Sequence, residues 1–375
     1  MQNKFTDLAV EGVRRLQPYA PGKPISDLQR EYGIADIIKL ASNENPLGSS
    51  PQAMQACRDA FNNLQLYPDG NGFDLKKALA DKYKVDTACI TLGNGSNDIL
   101  EFVARVFLKP GSNAVFSRHA FAVYPLVCMA VGAGLNVAAA NALDDAMPYG
   151  HNLDNMRAQV TADTRVIFIA NPNNPTGTWL TRTELSSFID DIPSNVIIVL
   201  DEAYVEYVTE TEYPDSIPWL ERYPNLVITR TFSKVYGLAG LRIGYSISHP
   251  DIANLLNRVR QPFNTNTLAQ VAAVAALQDH EHINNSVDSN KRGLRQVSDA
   301  MDAMGLDHIP SVGNFISFKT ALPEMQVYES LLSDGVIIRP IGNYDLPDYL
   351  RVTIGNEQQN ERFLHALMKV TGQKI

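Results

Sequence analysis

Three apolar runs, each followed at once by polar residues, stand out: RVIFIANPNNPTG at 165–177, NVIIVLDEAY at 195–204 and NLVITRTFSK at 225–234. Each run is short, rich in β-branched residues and bounded by turn residues, which is typical of a strand buried in a parallel sheet. Residues 181–190 between the first two show a helical pattern that opens with the capping-box sequence TRTE. Strands that alternate with helices predict an α/β fold with right-handed crossovers.

The polar residues after these runs predict a binding site, because ligands of an open α/β sheet bind beyond the carboxyl ends of its strands. The first run leads to the amide of Asn174, the second to Asp201 and Tyr204, and the third to Lys234. Each cluster alone is weak evidence, since NPNNPTG can be an ordinary turn and Asp201 an ordinary helix N-cap. Their occurrence at three consecutive strand ends favours function.

The surroundings of Lys234 suit an aldehyde cofactor that carries a phosphate. The hydroxyls of Thr231 and Ser233 flank it, and Arg242 follows eight positions later. An amine can condense with an aldehyde, while hydroxyls and a guanidinium can bind an anion. A buried carboxylate such as Asp201 would keep a pyridine nitrogen protonated. These residue types together predict a pyridoxal-phosphate enzyme.

A glycine-containing loop upstream, LGNGSNDIL at 92–100, opens a predicted helix. The backbone N–H groups of Gly95, Ser96 and Asn97 could bind the same phosphate, since helix N-termini attract anions. Taken alone, GNGSND is a common start of a helix. The loop becomes evidence for a phosphate site only in combination with the other motifs.

The order GNGSND, NPNNPTG, DEAY, SK and an arginine eight residues after the lysine resembles the fold-type I aminotransferases. Within them it resembles the histidinol-phosphate aminotransferase family. The narrower likeness rests on QPYAPGKP at 17–24, LASNENPLG at 40–48, taken as a strand, YPDGNGFDLKKALA from Tyr67, and LRVTIG at 350–355. The resemblance covers nearly the whole chain.

The resemblance implies the roles of the cofactor-binding residues. Lys234 would hold pyridoxal 5'-phosphate covalently and move the proton, and Asp201 would pair with the pyridine nitrogen. Asn174 and Tyr204 would bond the phenolic oxygen. The phosphate would be held by Thr231, Ser233, Arg242 and the amides of Gly95, Ser96 and Asn97.

Three aromatic residues receive roles from the same resemblance. Phe121 in the segment FAVY would stack on the cofactor ring, with Tyr124 as the alternative. Tyr67 would reach the partner's cofactor phosphate, which implies a homodimer with shared active sites. An ordinary turn position beside Pro68 is the other interpretation of Tyr67.

Substrate recognition is assigned to three further residues. Arg351 in LRVTIG resembles the arginine that binds the acidic group of aminotransferase substrates, and Arg339 in VIIRP is a second arginine for a phosphate ester. The hydroxyl of Tyr19 would add a third contact. The implied reaction moves an amino group from L-histidinol phosphate to 2-oxoglutarate, giving imidazole-acetol phosphate and L-glutamate in histidine biosynthesis.

Several alternatives stay open. An aromatic-amino-acid aminotransferase of the same fold differs in its substrate, and a cobalamin-pathway decarboxylase acting on phosphorylated threonine shares the pattern. A non-catalytic pyridoxal-phosphate sensor module is a more remote alternative, because no helix-turn-helix pattern precedes the site. The seven histidines form no cluster typical of a metal site.

Composition limits the remaining possibilities. A chain of 375 residues predicts two unequal domains, here an N-terminal arm at 1–38, a large cofactor-binding domain at 39–278 and a small α+β domain at 279–375. Within the small domain, an amphipathic helix is predicted from residue 291. The net charge of −9 argues against nucleic-acid or membrane partners. Three scattered cysteines and a polar N-terminus predict a cytoplasmic protein.

Overall fold

The computed structural model describes residues 4–18 and 22–373. Its helices, in chain order, are α1 Lys4–Leu8, α2 Glu11–Arg15, α3 Ile25–Tyr32, α4 Pro51–Ala60, α5 Phe73–Tyr83, α6 Ser96–Phe107, α7 Val123–Ala130, α8 Leu153–Ala158, α9 Arg182–Asp190, α10 Pro250–Val259, α11 Thr267–Gln278, α12 His280–Ala303, α13 Glu324–Ser333 and α14 Glu357–Thr371. Its strands are β1 Ile38–Lys39, β2 Ile90–Gly93, β3 Asn113–Ser117, β4 Gly134–Ala138, β5 Thr164–Ala170, β6 Ile197–Asp201, β7 Leu226–Thr231, β8 Gly244–Ser248, β9 His308–Ile309, β10 Phe315–Lys319, β11 Val336–Ile337, β12 Arg339–Pro340 and β13 Tyr349–Thr353. None of these helices combines the length and the apolar character that a membrane crossing requires.

A seven-stranded sheet forms the larger part of the molecule, in the order β2–β8–β7–β6–β5–β3–β4. Strand β8 runs antiparallel to β2 and β7, and the other neighbouring strands are parallel. The predicted α/β fold with a mostly parallel central sheet is thereby confirmed. The three predicted runs form the adjacent strands β5, β6 and β7, so their carboxyl ends meet at one edge.

The central strands are buried on both faces, because alternate residues pack into two different hydrophobic clusters. Val199 of β6 belongs to the cluster that includes Tyr124 of α7. Its neighbour Leu200 belongs to the cluster on the opposite side. Since side chains alternate along a strand, Asp201 points to the same face as Val199. The strand therefore aims this carboxylate towards α7.

The smaller part contains an antiparallel sheet in the order β12–β13–β10–β9 and a parallel pair, β1 and β11. Helices α12, α13 and α14 supply Val297, Leu331 and Phe363 to its hydrophobic core. Helix α12 also contacts the core of the larger part through Ile283 and Val287 near its start. Because one helix packs against both cores, the division at 278 stays a prediction.

The strand predicted at 40–48 is wrong. The strand here is β1, only two residues long, and the residues that follow it are irregular. Asn43 has φ 55°, a left-handed conformation that asparagine tolerates and a strand cannot contain. Its polar groups bond to the side chains of Thr353 and Tyr204, far away in the sequence, instead of to the backbone of a neighbouring strand.

The helix predicted from residue 291 begins earlier, at His280. Asp279 caps it, since its carboxylate accepts a hydrogen bond from the backbone N–H of His282 at 3.2 Å. The predicted capping box of α9 is confirmed, with Thr181 and Glu184 bonded reciprocally.

Candidate active site

A cavity of about 280 Å³ opens at the carboxyl edge of the seven-stranded sheet. It is lined from both parts of the molecule, by strand ends of the large sheet and by strands β12 and β13. The predicted site residues that line it are Ser96, Asn97, Phe121, Asn174, Asp201, Tyr204, Thr231, Ser233, Lys234, Arg242, Arg339 and Arg351. The sequence prediction thus names residues that the fold brings together.

Asp201 is a buried carboxylate held by two hydroxyls. Tyr124 donates to one carboxylate oxygen at 3.0 Å. Thr229, which is paired with Asp201 on the adjacent strand β7, donates to the other at 3.1 Å. Burial raises the pKa of Asp201 to about 6, although both hydrogen bonds act to lower it. A carboxylate poised in this way can pair with a cationic ring nitrogen in the cavity.

Lys234 follows β7 and lies beside the cavity. Its Nζ donates to the carbonyl oxygen of Ser42 at 3.2 Å and lies 5.5 Å from the centre of the Tyr204 ring. Burial, together with the smaller effect of the nearby Arg351 guanidinium, lowers the pKa of Lys234 to about 7. Near pH 7, a large fraction of lysine side chains with this pKa is neutral, and the neutral amine can act as a nucleophile or a base.

One end of the cavity is built to bind an anion. The hydroxyl of Thr231 donates to that of Ser233 at 3.0 Å, and Arg242 donates to Ser233 at 3.3 Å. Helix α6 begins beside them at Ser96, and no side chain caps its first amides. Gly95 has φ 84°, and a Cβ there would lie 2.4 Å from an Arg242 nitrogen. Only glycine lets the loop approach the guanidinium so closely.

Asn174 presents its amide nitrogen to the cavity, because its oxygen is already engaged. Arg351 donates to this oxygen through Nη1, and through Nη2 to the carbonyl oxygen of Ala41 at 2.9 Å. The guanidinium also lies over the Phe315 ring, 5.3 Å from its centre. Its Nε is buried and has no hydrogen-bond partner among the residues that the structure describes.

Tyr204 supplies a second donor. Its hydroxyl oxygen accepts a hydrogen bond from the Asn43 amide at 2.9 Å. Burial raises the pKa of Tyr204 far above its ordinary value, so its hydroxyl stays protonated. The hydroxyl proton is thus available to an acceptor in the cavity.

Two buried arginines face the cavity from the small sheet. Arg339 of β12 and Arg351 of β13 are direct cross-strand partners, and both are less than a tenth exposed. Like charges placed opposite each other in a sheet are unfavourable unless an anion lies between or beside them. The pair is therefore suited to an acidic group of a substrate.

The aromatic residues occupy different positions. Phe121 lines the cavity, whereas Tyr124 is fully buried under Asp201 and stacks on Phe168 with ring centres 4.8 Å apart. Tyr67 is 81% exposed, stacks on Phe263 and does not line the cavity of its own chain. Tyr19 lies outside the described residues, so its predicted role is left as a prediction.

Sequence reasoning missed several residues of the site. Ser42, Asn43, Glu44 and Tyr344 line the cavity, and Thr229 holds Asp201. Three of them belong to the segment LASNENPLG, whose repeated asparagines and glutamate were a visible signal. Its interpretation as a strand conceals the place of these side chains at the site.

The loop after β1 lies along the segment that carries Lys234. Asn45 donates to the carbonyl oxygen of Val235 and Ser49 to that of Gly237, both at 2.7 Å. A Cβ on Gly237 would lie 2.0 Å from the carbonyl oxygen of Gly48, and its φ is 68°. The Asn45 contact holds the loop beside Lys234, and the contacts of Gly48 and Ser49 hold its end against Gly237, further along the chain.

The donor set fits pyridoxal phosphate. The cavity offers an anion site at a helix N-terminus, two donors beside each other, a buried carboxylate and an amine of lowered pKa. A phosphate, a phenolic oxygen, a pyridinium and an aldehyde on one ring need these four kinds of partner. The roles of the individual residues stay predictions.

Comparisons with known proteins agree with this fit. A family model described as aminotransferase class I and II matches residues 35–367. Histidinol-phosphate aminotransferase 2 of Pseudomonas aeruginosa is 53% identical over 368 residues, 98% of each chain. Histidinol-phosphate aminotransferase 1 of Nitrosococcus oceani is 52% identical over 369 residues, again 98% of each chain. The structure of the Sinorhizobium meliloti histidinol-phosphate aminotransferase in complex with pyridoxal-5'-phosphate is similar, with a TM-score of 0.86, 26% identity and 97% of each chain covered.

Proposed function

Because this chain belongs to the aminotransferase class I and II family, and within it to the histidinol-phosphate aminotransferases, we propose a pyridoxal-phosphate-dependent transamination. The amino group of L-histidinol phosphate passes to 2-oxoglutarate, giving imidazole-acetol phosphate and L-glutamate in histidine biosynthesis. The observation that carries the proposal is one cavity that combines Lys234 and Asp201 with two buried arginines on adjacent strands.

The residues at the sheet edge would hold the cofactor and move the proton. Bound there, pyridoxal phosphate supplies an aldehyde for the amino group and a ring that accepts electrons. Lys234 would hold the cofactor between turnovers, and its amine would take the proton from the substrate carbon that bears the amino group and later return it. Asp201 keeps the ring nitrogen charged, and Tyr204 and Asn174 donate to the ring oxygen. Both substrates use one site, so ping-pong kinetics follow.

The arginines of the small sheet would choose the substrate. Arg339 and Arg351 are buried, and a guanidinium can bind a phosphate ester or a carboxylate with two parallel hydrogen bonds. Two such groups match the phosphate of histidinol phosphate in one half-reaction and a carboxylate of 2-oxoglutarate in the other. Phe121 lines the cavity wall, from which it would stack on the cofactor ring.

We propose in addition that two copies of the chain form a homodimer with shared sites. Tyr67 stacks on Phe263, and both rings are exposed, as are Leu64, Leu66 and Phe73 close by in the sequence. Contiguous exposed apolar surfaces often bind a partner. In the dimer, the Tyr67 hydroxyl would complete the phosphate site of the other subunit. Light scattering of the purified protein measures the mass, and a monomeric mass would contradict this part.

A cytoplasmic location is also proposed. Cys57, Cys89 and Cys128 are all free thiols, as expected in a reducing compartment. Cell fractionation followed by detection of the protein is the direct measurement.

The substrate is tested by kcat/KM on the purified holoenzyme. We expect histidinol phosphate to exceed histidine, phenylalanine and tyrosine as amino donor, since only it carries the phosphate that two arginines match. A strong preference for phenylalanine would overturn the substrate assignment and leave the transamination chemistry intact. A matched control is the exposed Arg222→Lys variant, which should keep the same order of donors.

A further inference from the structure

Asn43 connects the small sheet to the cofactor end of the cavity. It is 1% exposed, it lines the cavity, and it lies in the loop between β1 and α4. Its backbone N–H donates to the Thr353 hydroxyl of β13 at 2.8 Å, and its carbonyl oxygen accepts from the Asn314 amide at 3.0 Å. Its side-chain amide donates to the Tyr204 hydroxyl at 2.9 Å. One residue thus joins three segments that are distant in sequence.

The hydrogen bonds determine which way the Asn43 amide faces. The Thr353 hydroxyl oxygen accepts the backbone N–H of Asn43, so its own proton points elsewhere. The Asn43 side-chain oxygen lies 3.3 Å from this hydroxyl and accepts that proton. The amide nitrogen must then face Tyr204, and it can only donate.

The amide in turn determines the direction of the Tyr204 hydroxyl. Because the Tyr204 hydroxyl oxygen accepts a hydrogen bond from the Asn43 amide, its own proton cannot be donated to Asn43. The proton is therefore available to an acceptor in the cavity. Asn174 is arranged in a parallel way, because Arg351 occupies its oxygen and leaves the amide nitrogen for the cavity. Both donors line the same cavity, where the proposed function gives them one common acceptor, the ring oxygen of the cofactor.

We propose that Asn43 is a positioning residue that orients the Tyr204 hydroxyl as a donor to the cofactor and links this donor to strand β13. The inference rests on the proposed use of pyridoxal phosphate and on no particular amino donor. It explains why an asparagine with φ 55° is kept in the wall of the cavity, since no aliphatic side chain can donate from there.

The charged and titratable groups around Tyr204 come from several elements. Lys234 lies 5.5 Å from its ring, Asp201 ends the strand before it, and Arg351 and Tyr344 face it from the small part. Asn43 is neutral at every working pH. Its replacement by another neutral residue therefore changes a hydrogen bond without adding or removing a charge.

The test follows the pH dependence of the cofactor's visible absorbance in the holoenzyme, which needs no substrate. A hydrogen bond donated to the ring oxygen stabilises negative charge there, which lowers the pKa of the nitrogen through which Lys234 would hold the cofactor. Loss of the donor should therefore raise this pKa. Tyr204→Phe should raise the midpoint by about one unit, the size of one hydrogen bond. Asn43→Gly, which tolerates the same φ, should raise it by a similar or smaller amount.

The decisive variant combines both substitutions. In the Tyr204→Phe background, Asn43→Gly should produce no further shift, because the hydroxyl that it orients is absent. Thr353→Val removes the hydroxyl that sets the amide and should reproduce part of the shift with Asn43 intact. Ser49→Ala, in the same loop but bonded to Gly237, is the control and should leave the midpoint unchanged.

Three results would overturn the proposal. The first is an unchanged midpoint in Asn43→Gly. The second is a shift caused by Asn43→Gly that is equal with and without the Tyr204 hydroxyl. The third is a shift of the same size in Ser49→Ala. A failure of the proposed function looks different, since it would appear as no uptake of pyridoxal phosphate by the wild-type protein or as a different preferred donor. Thermal unfolding of each variant confirms that the folded protein is compared.

Discussion

The two ends of the cavity are built in different ways. The cofactor end consists of residues that follow adjacent parallel strands of one sheet, so Asn174, Asp201 and Lys234 come together by topology alone. The substrate end consists of Arg339 and Arg351 on short strands of the small sheet, and the loop with Asn43 joins the two ends through bonds to Thr353 and Tyr204. The first end is a property of the sheet, and the second depends on how the small part packs against it. Chemistry and specificity can therefore change separately.

The largest effect is expected at the cofactor end. Lys234→Ala removes the amine that holds the cofactor and moves the proton, so kcat should fall by about 10⁴-fold or more. Steady-state transamination of histidinol phosphate measures it. If the variant kept near-normal turnover, the assignment of Lys234 and the contrast between the two ends would both be wrong.

Asp201→Asn tests the same end with less disruption. The amide keeps the shape and can still accept from Thr229, but it carries no charge to hold a ring nitrogen protonated. We expect kcat to fall by about 10²–10³-fold, as for the loss of one preorganised electrostatic partner. Asp190→Asn, at an exposed carboxylate paired with Arg222, is the matched control and should retain full activity.

Arg339→Lys tests the substrate end. Lysine keeps the charge but cannot form two parallel bonds, so kcat/KM for histidinol phosphate should fall by roughly 10–100-fold. The affinity for pyridoxal phosphate, titrated by fluorescence of the apoprotein, should stay the same. An equal loss of cofactor affinity would show that the two ends are not separable.

The last prediction concerns the stability of the apoprotein, where no change in activity is involved. The pKa of Lys234 is about 7 in the folded chain and 10.5 ordinarily, so the unfolded chain binds more protons between these values. The free energy of unfolding should therefore rise with pH in this window, relative to that of Lys234→Met. Denaturant unfolding across the window measures the difference, and a flat difference would contradict the lowered pKa. Lys319→Met, at a partly exposed lysine, is the control for the loss of a surface lysine.

The fold could be predicted largely because its central strands need no distant information. Strands β5, β6 and β7 are continuous apolar runs between turns, and helix α9 carries a capping box. The loop at 40–48 could not be predicted in this way. Leu40 and Ala41 can end a strand, but the polar run SNEN that follows does not show which contacts it makes. Bonds to Thr353 and Asn314 hold Asn43 in its left-handed conformation.

The site divides along the same line. Asp201 and Lys234 were predictable because the strand-end rule depends on sequence order. The contact of Tyr124 with Asp201 joins residues 77 positions apart, and no local pattern shows which of two nearby aromatics turns inward. The role of Tyr67 depends on a second chain, so a single sequence can only suggest it by resemblance.

The close contact between Gly237 and Gly48 has a consequence for how this gene can change. A Cβ at position 237 would meet a carbonyl oxygen at 2.0 Å, whereas one on Gly240 would have nothing within 4 Å. A backbone atom cannot move aside as the end of a flexible side chain can, so we expect selection to remove every substitution of Gly237. A substitution of Gly240 meets no such clash and can be tolerated. Two glycines in one short segment thus carry very different amounts of evolutionary information, and the difference comes from a neighbouring loop.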